Sequence, residues 1–166
     1  MQRRKVIMSG ALLIGGLIVC IPTNDTVLKH NKDWKLINHI SQKYDIDYFE
    51  AKKIVDKVNE SANYQFPSRI DVLSIIAIES RFKHKAVSKK GAKGWMQILY
   101  KKVHTEDENL LAGIELLVDY RQKLGSEEAA IHAYNVGIKN YKDGKRNINY
   151  YDKYLNTKKE LIQYEC

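Results

Sequence analysis

Between residues 68 and 79 the chain reads Ser68-Arg69-Ile70-Asp71-Val72-Leu73-Ser74-Ile75-Ile76-Ala77-Ile78-Glu79. Ser68, with Asp71 three residues later, forms a capping-box signal, which predicts a helix that starts at Arg69. Apolar residues cover most of the surface of this helix, so we expect it to be the central buried helix of the fold. The stretch from Ser80 to Gly94, rich in Lys, Ser and Gly, is predicted to be a loop.

The segments on both sides also repeat apolar residues at helical spacing. Thr105 and Glu108 form a second capping box, and Gly125 is placed to end the helix that it opens. Ser126 is expected to cap the next helix, which stops at residues 135–137. No alternating strand pattern is longer than three or four residues, so a mainly α domain is predicted. The flanking residues expected to be buried are Trp34, Ile37, Ile40, Tyr44, Phe49, Ile54, Val55, Val58, Leu110, Leu111, Ile114, Leu117, Val118 and Leu124.

The N-terminal part of the chain has the composition of a targeting segment. Arg3-Arg4-Lys5 precedes an uncharged apolar run over residues 6–21. This run is long for a signal-peptide core and short for a span of ~20 residues, so a cleaved signal peptide and a retained membrane-anchor helix both stay open. A buried core helix is the remaining alternative. We expect residues 1–22 to contact the membrane and direct export to the periplasm or cell envelope, residues 23–33 to be a polar linker, and residues 34–166 to form the domain.

Length and composition exclude several classes of protein. With 166 residues, 44% of them hydrophobic and 29% charged, the chain fits one globular domain and not a disordered, collagen-like or multispan membrane protein. The net charge is 28 − 20 = +8, or 25 − 20 = +5 without residues 1–22, which suits an anionic partner. Cys20 and Cys166 provide no disulfide framework, and the five histidines lack metal-ligand spacing, so no metal is expected.

Glu79 is the first candidate for chemistry. At helical spacing, its carboxylate shares a face with Val72, Ile75 and Ile76. Burial and the negative end of the helix dipole both disfavour the charged carboxylate, which raises its pKa as a general acid requires. The alternative is that Glu79 points to solvent or pairs with Arg81.

Two blocks of sequence carry a resemblance to a known family. The first comprises E-S-R-F at 79–82, A-V-S at 86–88 and G-A-K-G-W-M-Q-I at 91–98. The second comprises Asn109 and Gly113 as N-x-x-x-G, A-Y-N-V-G at 133–137, and Tyr150-Tyr151. Over roughly residues 68–155 the chain resembles the lytic transglycosylase family with the soluble-lytic-transglycosylase, goose-lysozyme-like catalytic domain. The resemblance implies a single lysozyme-like helical domain with a substrate cleft.

The resemblance also implies roles for individual residues. Glu79 is the single catalytic acid/base, and no metal or cofactor takes part. Tyr134 is expected to hold Glu79 by a hydrogen bond and Met96 to line the groove, with plain packing as the alternative for both. Trp95 replaces the usual leucine and could pack in the core or stack on a sugar. The substrate-binding residues implied by the resemblance are Ser88, Met96, Gln97, Tyr134, Asn135 and Tyr151.

The activity implied by the resemblance is cleavage of the β-1,4 bond between N-acetylmuramic acid and N-acetylglucosamine, with formation of 1,6-anhydromuramic acid. The expected partners are peptidoglycan glycan strands, together with secretion, conjugation or phage assembly proteins. A hydrolytic muramidase and a catalytically silent wall-binding assembly protein are the alternatives. A nucleic-acid-binding domain has only the positive charge in its favour, because no nucleic-acid motif is present, and nucleic acid is not expected as a partner.

Overall fold

The structure is a computed structural model that describes residues 11–14, 17–20, 24–62, 65–99 and 105–165. Within these ranges the chain is mainly helical, which confirms the predicted class. The elements are β1 (Ala11–Ile14), β2 (Leu17–Cys20), α1 (Asn24–Tyr44), α2 (Tyr48–Ser61), α3 (Arg69–Glu79), α4 (Glu106–Leu124), α5 (Glu127–Val136), α6 (Ile138–Lys142) and α7 (Ile148–Ile162).

Helix α3 is the buried centre of the fold. Its capping box forms as predicted, because the Ser68 side chain accepts from the Asp71 backbone N–H and the Asp71 side chain accepts from the Ser68 backbone N–H. Every residue from Ile70 to Ala77 is buried, and α3 packs against α2 and α7. The chain leaves α3 through turns, so the predicted loop after Glu79 is also confirmed.

The two helices that follow begin and end at the predicted signals. Thr105 and Glu108 form the second capping box at the start of α4. Gly125 ends α4 with a φ of 81°, a left-handed conformation that favours glycine. The Ser126 side chain then accepts a hydrogen bond from the backbone N–H of Ala129 at the start of α5, and Gly137 follows the last residue of that helix.

Most of the predicted core is buried, with three clear exceptions. Trp34 is 53% exposed, Phe49 75% and Leu111 47%. Leu36 and Ile40 lie at the centre of the buried face of α1. Trp34 lies outside this face and therefore points towards solvent. Phe49 stands in the exposed first turn of α2, where its ring meets only the edge of Tyr48 among the described aromatic pairs.

The N-terminal apolar run differs from the predicted helix where the structure describes it. Strand β1 pairs antiparallel with β2, with Ala11 opposite Cys20 and Ile14 opposite Leu17. Two glycines stand between these strands in the sequence, and Gly-Gly is favoured in two-residue hairpin loops. The remaining residues of 1–22 lie outside the described ranges. No helix in the described part of the chain has both the length and the apolar character needed to cross a membrane.

The predicted linker also differs, because α1 already begins at Asn24. No proline or glycine interrupts residues 24–44, so nothing in the sequence stops the helix from extending through the polar stretch. Asp33 accepts hydrogen bonds from the side chains of Asn59, at 3.2 Å, and Arg69, at 2.9 Å. The end of the expected linker is therefore bound to α2 and α3.

Candidate active site

Glu79 is the last residue of α3 and lies partly buried. Burial raises the pKa of its carboxyl group, and a hydrogen bond from Tyr150 opposes part of that rise. The direction agrees with the sequence prediction. No charged side chain among the described residues contributes to this shift.

Tyr150 is the hydrogen-bond partner that sequence reasoning missed. Its hydroxyl donates to Glu79 Oε1 at 2.7 Å. The residue lies in the first turn of α7, where its backbone N–H donates to the capping side chain of Asn147 at 3.1 Å. Burial, followed by the charge of Glu79, raises the pKa of Tyr150 well above its ordinary value. Tyr150 therefore keeps its proton and remains a donor throughout the physiological pH range.

The sequence did contain a signal for Tyr150. Tyr150 and Tyr154 are four residues apart and share one face of α7, and both are buried. Tyr151, the predicted candidate, lies on another face, where its ring stacks on His132 with a centroid distance of 4.7 Å. The sequence shows the i, i+4 spacing of the two tyrosines, but only the structure shows the burial that favours Tyr150 over its neighbour.

The prediction that Tyr134 holds Glu79 by a hydrogen bond is wrong. The Tyr134 hydroxyl donates instead to the backbone carbonyl of Met96, at 2.7 Å. Tyr134 still lies close enough for the Glu79 charge to raise its pKa, after burial as the larger cause. Met96 has an exposed fraction of 0%, so its side chain packs in the core and does not line a groove.

Two parts of the sequence motifs meet at the turn formed by residues 93–98. Asn109 accepts a hydrogen bond from the Met96 N–H at 2.8 Å and donates one to the Lys93 carbonyl at 2.8 Å. A Cβ at Gly94 would lie 2.6 Å from the Asn109 side chain, and one at Gly113 would lie 2.3 Å from Met96 Sδ. These glycines therefore make room for protein groups, which are Asn109 beside Gly94 and Met96 beside Gly113.

Gln97 and Ser88 stabilise the loop between α3 and α4. The Gln97 side-chain amide donates to the carbonyls of Ala86, at 3.0 Å, and Gly94, at 2.9 Å. The exposed Ser88 accepts a hydrogen bond from the Ala92 N–H at 3.0 Å. Both residues thus fix the backbone of this loop, and their contacts with substrate stay predictions.

Asn135 and Trp95 complete the predicted set. Asn135 is exposed at the end of α5, and its side-chain oxygen accepts a hydrogen bond from Asn147 at 2.8 Å. Since Asn147 caps α7, this bond joins α5 to the helix that carries Tyr150. Trp95 is 1% exposed, so of the two roles left open for its indole the structure supports packing in the core.

A buried polar cluster joins α3 to α7 behind the site. Asp71 is 2% exposed, and its Oδ1 accepts from the Tyr154 hydroxyl at 2.5 Å and pairs with Lys158 Nζ at 2.6 Å. Its Oδ2 accepts from the backbone N–H and the hydroxyl of Ser68, at 2.8 Å each. Because Tyr154 lies one turn from Tyr150, this cluster fixes the helix from which Tyr150 reaches Glu79.

A scan against protein families matches residues 57–157 to the transglycosylase SLT domain, which is more than half of the chain. The chain belongs to this family. The match begins within α2 and ends within α7, so it contains Glu79, Tyr134 and Tyr150. No significant match was found among curated proteins or among solved structures.

Membership of the transglycosylase SLT domain family establishes the general activity. Proteins of this family act on peptidoglycan in the manner of lytic transglycosylases, and peptidoglycan lies outside the cytoplasm. The mainly helical structure is consistent with the lysozyme-like fold of an SLT domain.

Proposed function

We propose that this SLT domain cleaves the β-1,4 bond between N-acetylmuramic acid and N-acetylglucosamine, with Glu79 as the single acid/base. The observation that carries the proposal is the environment of Glu79. A carboxyl group whose pKa is raised by burial and which accepts one hydrogen bond from Tyr150 is suited to hold a proton and then release it.

In the first step, the protonated Glu79 donates its proton to the glycosidic oxygen, and the bond from that oxygen to the muramyl C1 breaks. Tyr150 donates to Oε1, which leaves Oε2 as the oxygen that carries the proton. The same hydrogen bond stabilises the carboxylate as it forms. The 2-acetamido group of the muramyl residue stabilises the positive centre at C1.

In the second step, the Glu79 carboxylate takes the proton of the muramyl C6 hydroxyl, and O6 attacks C1. This closes the 1,6-anhydro ring and returns Glu79 to its protonated form without consuming water. An intramolecular hydroxyl has a proximity advantage over a water molecule. Among the described residues, no carboxylate charge shifts the pKa of Glu79, which agrees with a site that uses a single carboxyl group.

The loop of residues 86–97 and the end of α5 are proposed to contact the glycan. Ser88 and Asn135 are exposed there, and Gln97 lies partly exposed on the same loop as Ser88. Ser88 would orient the muramyl acetamido group, while Gln97 and Asn135 would bind the sugar hydroxyls. Met96 and Tyr134 would act by holding the loop in place.

We further propose that residues 1–22 direct export, as a cleaved signal or a retained anchor, and that the enzyme works in the periplasm or cell envelope. A compact catalytic domain of this kind fits an enzyme that opens the wall locally for a secretion, conjugation or phage assembly. Without residues 1–22 the net charge is still 25 − 20 = +5, which favours binding to an anionic wall.

The product tests the chemistry. Isolated peptidoglycan is digested with the full chain, and the muropeptides are analysed by mass spectrometry, with Glu79→Gln as the inactive control. We expect 1,6-anhydromuramic ends, which are lighter by one water than hydrolysed ends. Mainly reducing muramic acid ends would instead indicate a hydrolytic muramidase. No Glu79-dependent products at all would indicate a silent wall-binding protein.

A further inference from the structure

Three side chains, from α2, from α4 and from the loop that follows Glu79, converge on one another. Glu50 lies in the first turn of α2, Glu106 is the first residue of α4, and His84 lies in the loop between α3 and α4. Each offers one donor atom, and the three atoms lie within 4.8 Å of one another. His84 Nδ1 is 3.4 Å from Glu50 Oε1 and 3.7 Å from Glu106 Oε1.

These separations match those of ligands that share one metal ion. Zinc binds imidazole nitrogen and carboxylate oxygen at roughly 2.0–2.2 Å, so two tetrahedral ligands lie about 3.3–3.6 Å apart. The measured 3.4 and 3.7 Å are close to these values. They exceed the usual length of a strong hydrogen bond between an imidazole and a carboxylate, which is about 2.7–2.9 Å.

Two buried polar atoms, one in the cluster and one in the lining of the neighbouring pocket, have no hydrogen-bond partner. Glu50 Oε1 is buried and accepts no hydrogen bond, although His84 Nδ1 is near. A buried oxygen of a carboxylate without a donor or cation is unfavourable. The indole N–H of Trp95, in a side chain that is 1% exposed, also has no hydrogen-bond partner.

The cluster borders a pocket of about 350 Å³ that His84, Trp95 and Glu106 help to line. Lys53 pairs with Glu106 Oε2 at 2.5 Å, which leaves Oε1 directed to the histidine side of that carboxylate. The pocket has room for a water or anion at a fourth ligand position. One imidazole with two carboxylates suits zinc better than magnesium or calcium, which prefer oxygen ligands only.

We propose that Glu50, His84 and Glu106 form a divalent metal site, with Zn²⁺ as its best-matched ion and the pocket as its open fourth position. The site departs from the sequence expectation of no metal, because its ligands come from segments that only the fold brings together. It joins α2 and α4 to the loop that follows Glu79, the last residue of α3. A bound ion would therefore stabilise the backbone that leads from Glu79 to the turn at 93–98.

The test uses the full chain with Cys20→Ser and Cys166→Ser, so that thiols cannot bind the metal. After treatment with a chelator, ZnCl₂ is titrated in by calorimetry, and the melting temperature is recorded with and without the ion. We expect saturable binding of one ion per chain and a higher melting temperature, since a ligand of the native state stabilises it.

Two variants and one control locate the site. His84→Ala and Glu50→Gln should each weaken binding at least ~10-fold. His39→Ala is the matched control, because His39 also pairs with a carboxylate, that of Glu160, but lies outside the cluster. This variant should bind Zn²⁺ as tightly as the protein without the His39 change. Glu50→Gln keeps the shape of the side chain, so it remains informative if His84→Ala fails to fold. Absence of saturable binding, or equal binding by all variants, would overturn the proposal whatever the enzyme does to peptidoglycan.

Discussion

The Tyr150 hydroxyl donates a 2.7 Å hydrogen bond to Glu79 Oε1, which joins two residues 71 positions apart in the sequence. Burial of Glu79 favours its protonated form, and the bond from Tyr150 favours its charged form. A group that must both give and take a proton needs these two influences in balance. Contact between Glu79 and Tyr150 therefore controls the protonation of the site, and the packing of α7 against α3 brings the two residues together.

Replacing Tyr150 tests this balance. In Tyr150→Phe, loss of a hydrogen bond to a charged group should reduce kcat by about tenfold or more. Because that bond lowers the pKa of Glu79, its loss should raise the pKa further, and the alkaline limb of the pH–rate profile should move to higher pH. Peptidoglycan cleavage measured across pH gives both quantities.

Tyr151→Phe is the control for this experiment. Tyr151 adjoins Tyr150 in the chain but stacks on His132 and does not bond to Glu79. The alkaline limb of the pH–rate profile of Tyr151→Phe should coincide with that of the unmodified protein. An unmoved limb in Tyr150→Phe would show that the hydrogen bond does not set the pKa of Glu79.

The Glu79→Gln variant should lose activity by at least about a hundredfold, as expected for removal of a general acid. Its stability should respond to pH in a defined way. Because burial raises the pKa of Glu79, the folded state of the unmodified protein keeps this proton to higher pH than the unfolded state does. The free energy of unfolding contributed by Glu79 therefore falls as pH rises from the unfolded pKa through the folded pKa.

Urea unfolding at acidic and neutral pH checks that sign. Glu79→Gln should gain stability relative to the unmodified protein at neutral pH, and this gain should shrink below both pKa values. Glu115→Gln, at an exposed position of α4, should show no comparable gain. The opposite result would be a Glu79→Gln variant that loses stability, relative to the unmodified protein, as pH rises from acidic to neutral. That result would mean that the fold stabilises the charged carboxylate.

The helix boundaries around the site could be predicted because their signals are local. The two capping boxes, at Ser68 and Thr105, and the left-handed Gly125 depend on residues within one turn of each other. The helical pattern of residues 69–79 placed Glu79 correctly at the end of α3, and the resemblance then implied its role. Local chemistry was sufficient for these features.

The partners of the predicted site residues could not be predicted in the same way. The choice between Tyr150 and Tyr151 depends on the rotation of α7, which its buried contacts with α3 fix. Met96 matches the motif yet packs into the space above Gly113, and that space exists only after α4 has docked. The prediction of a linker at residues 23–33 was wrong for another reason. Polar composition alone does not end a helix that lacks proline and glycine, and α1 therefore begins at Asn24.

Gly113→Ala tests why this glycine belongs to the motif. The added Cβ would lie 2.3 Å from Met96 Sδ, so Met96 must shift, and we expect a loss of about 1–3 kcal/mol in the free energy of unfolding. Met96→Ala should make Gly113→Ala less costly, since it removes the colliding atom. A double-mutant cycle by urea unfolding measures that coupling. Additive losses would show that Gly113 has no specific role towards Met96.

The Asp71 cluster supplies the last prediction, on the support behind Tyr150. Burial alone would raise the pKa of Asp71, but hydrogen bonds from Lys158, Tyr154 and Ser68 outweigh it and hold the pKa below its ordinary value. Asp71→Asn leaves the Lys158 charge without this partner, and breaking a buried pair should cost about 3 kcal/mol in the free energy of unfolding at neutral pH. Since the folded pKa is lowered, the contribution of Asp71 is present above the unfolded pKa and is lost as pH falls through the folded pKa, so the difference between the two proteins should shrink in acid.

Asp119→Asn is the matched control for this last experiment, because Asp119 pairs with Lys123 on the exposed surface of α4 at 2.7 Å. An exposed pair four residues apart contributes only about 0.3–0.5 kcal/mol, so this variant should be nearly as stable as the unmodified protein. Asp71→Asn should also lower kcat, because a displaced α7 carries Tyr150 away from Glu79, whereas Asp119→Asn should not. Equal effects of the two variants on unfolding and on peptidoglycan cleavage would contradict this prediction. The junction of α3 and α7 would then not depend on the buried charge of Asp71, and the core around Tyr154 would be sufficient to hold Tyr150 in place.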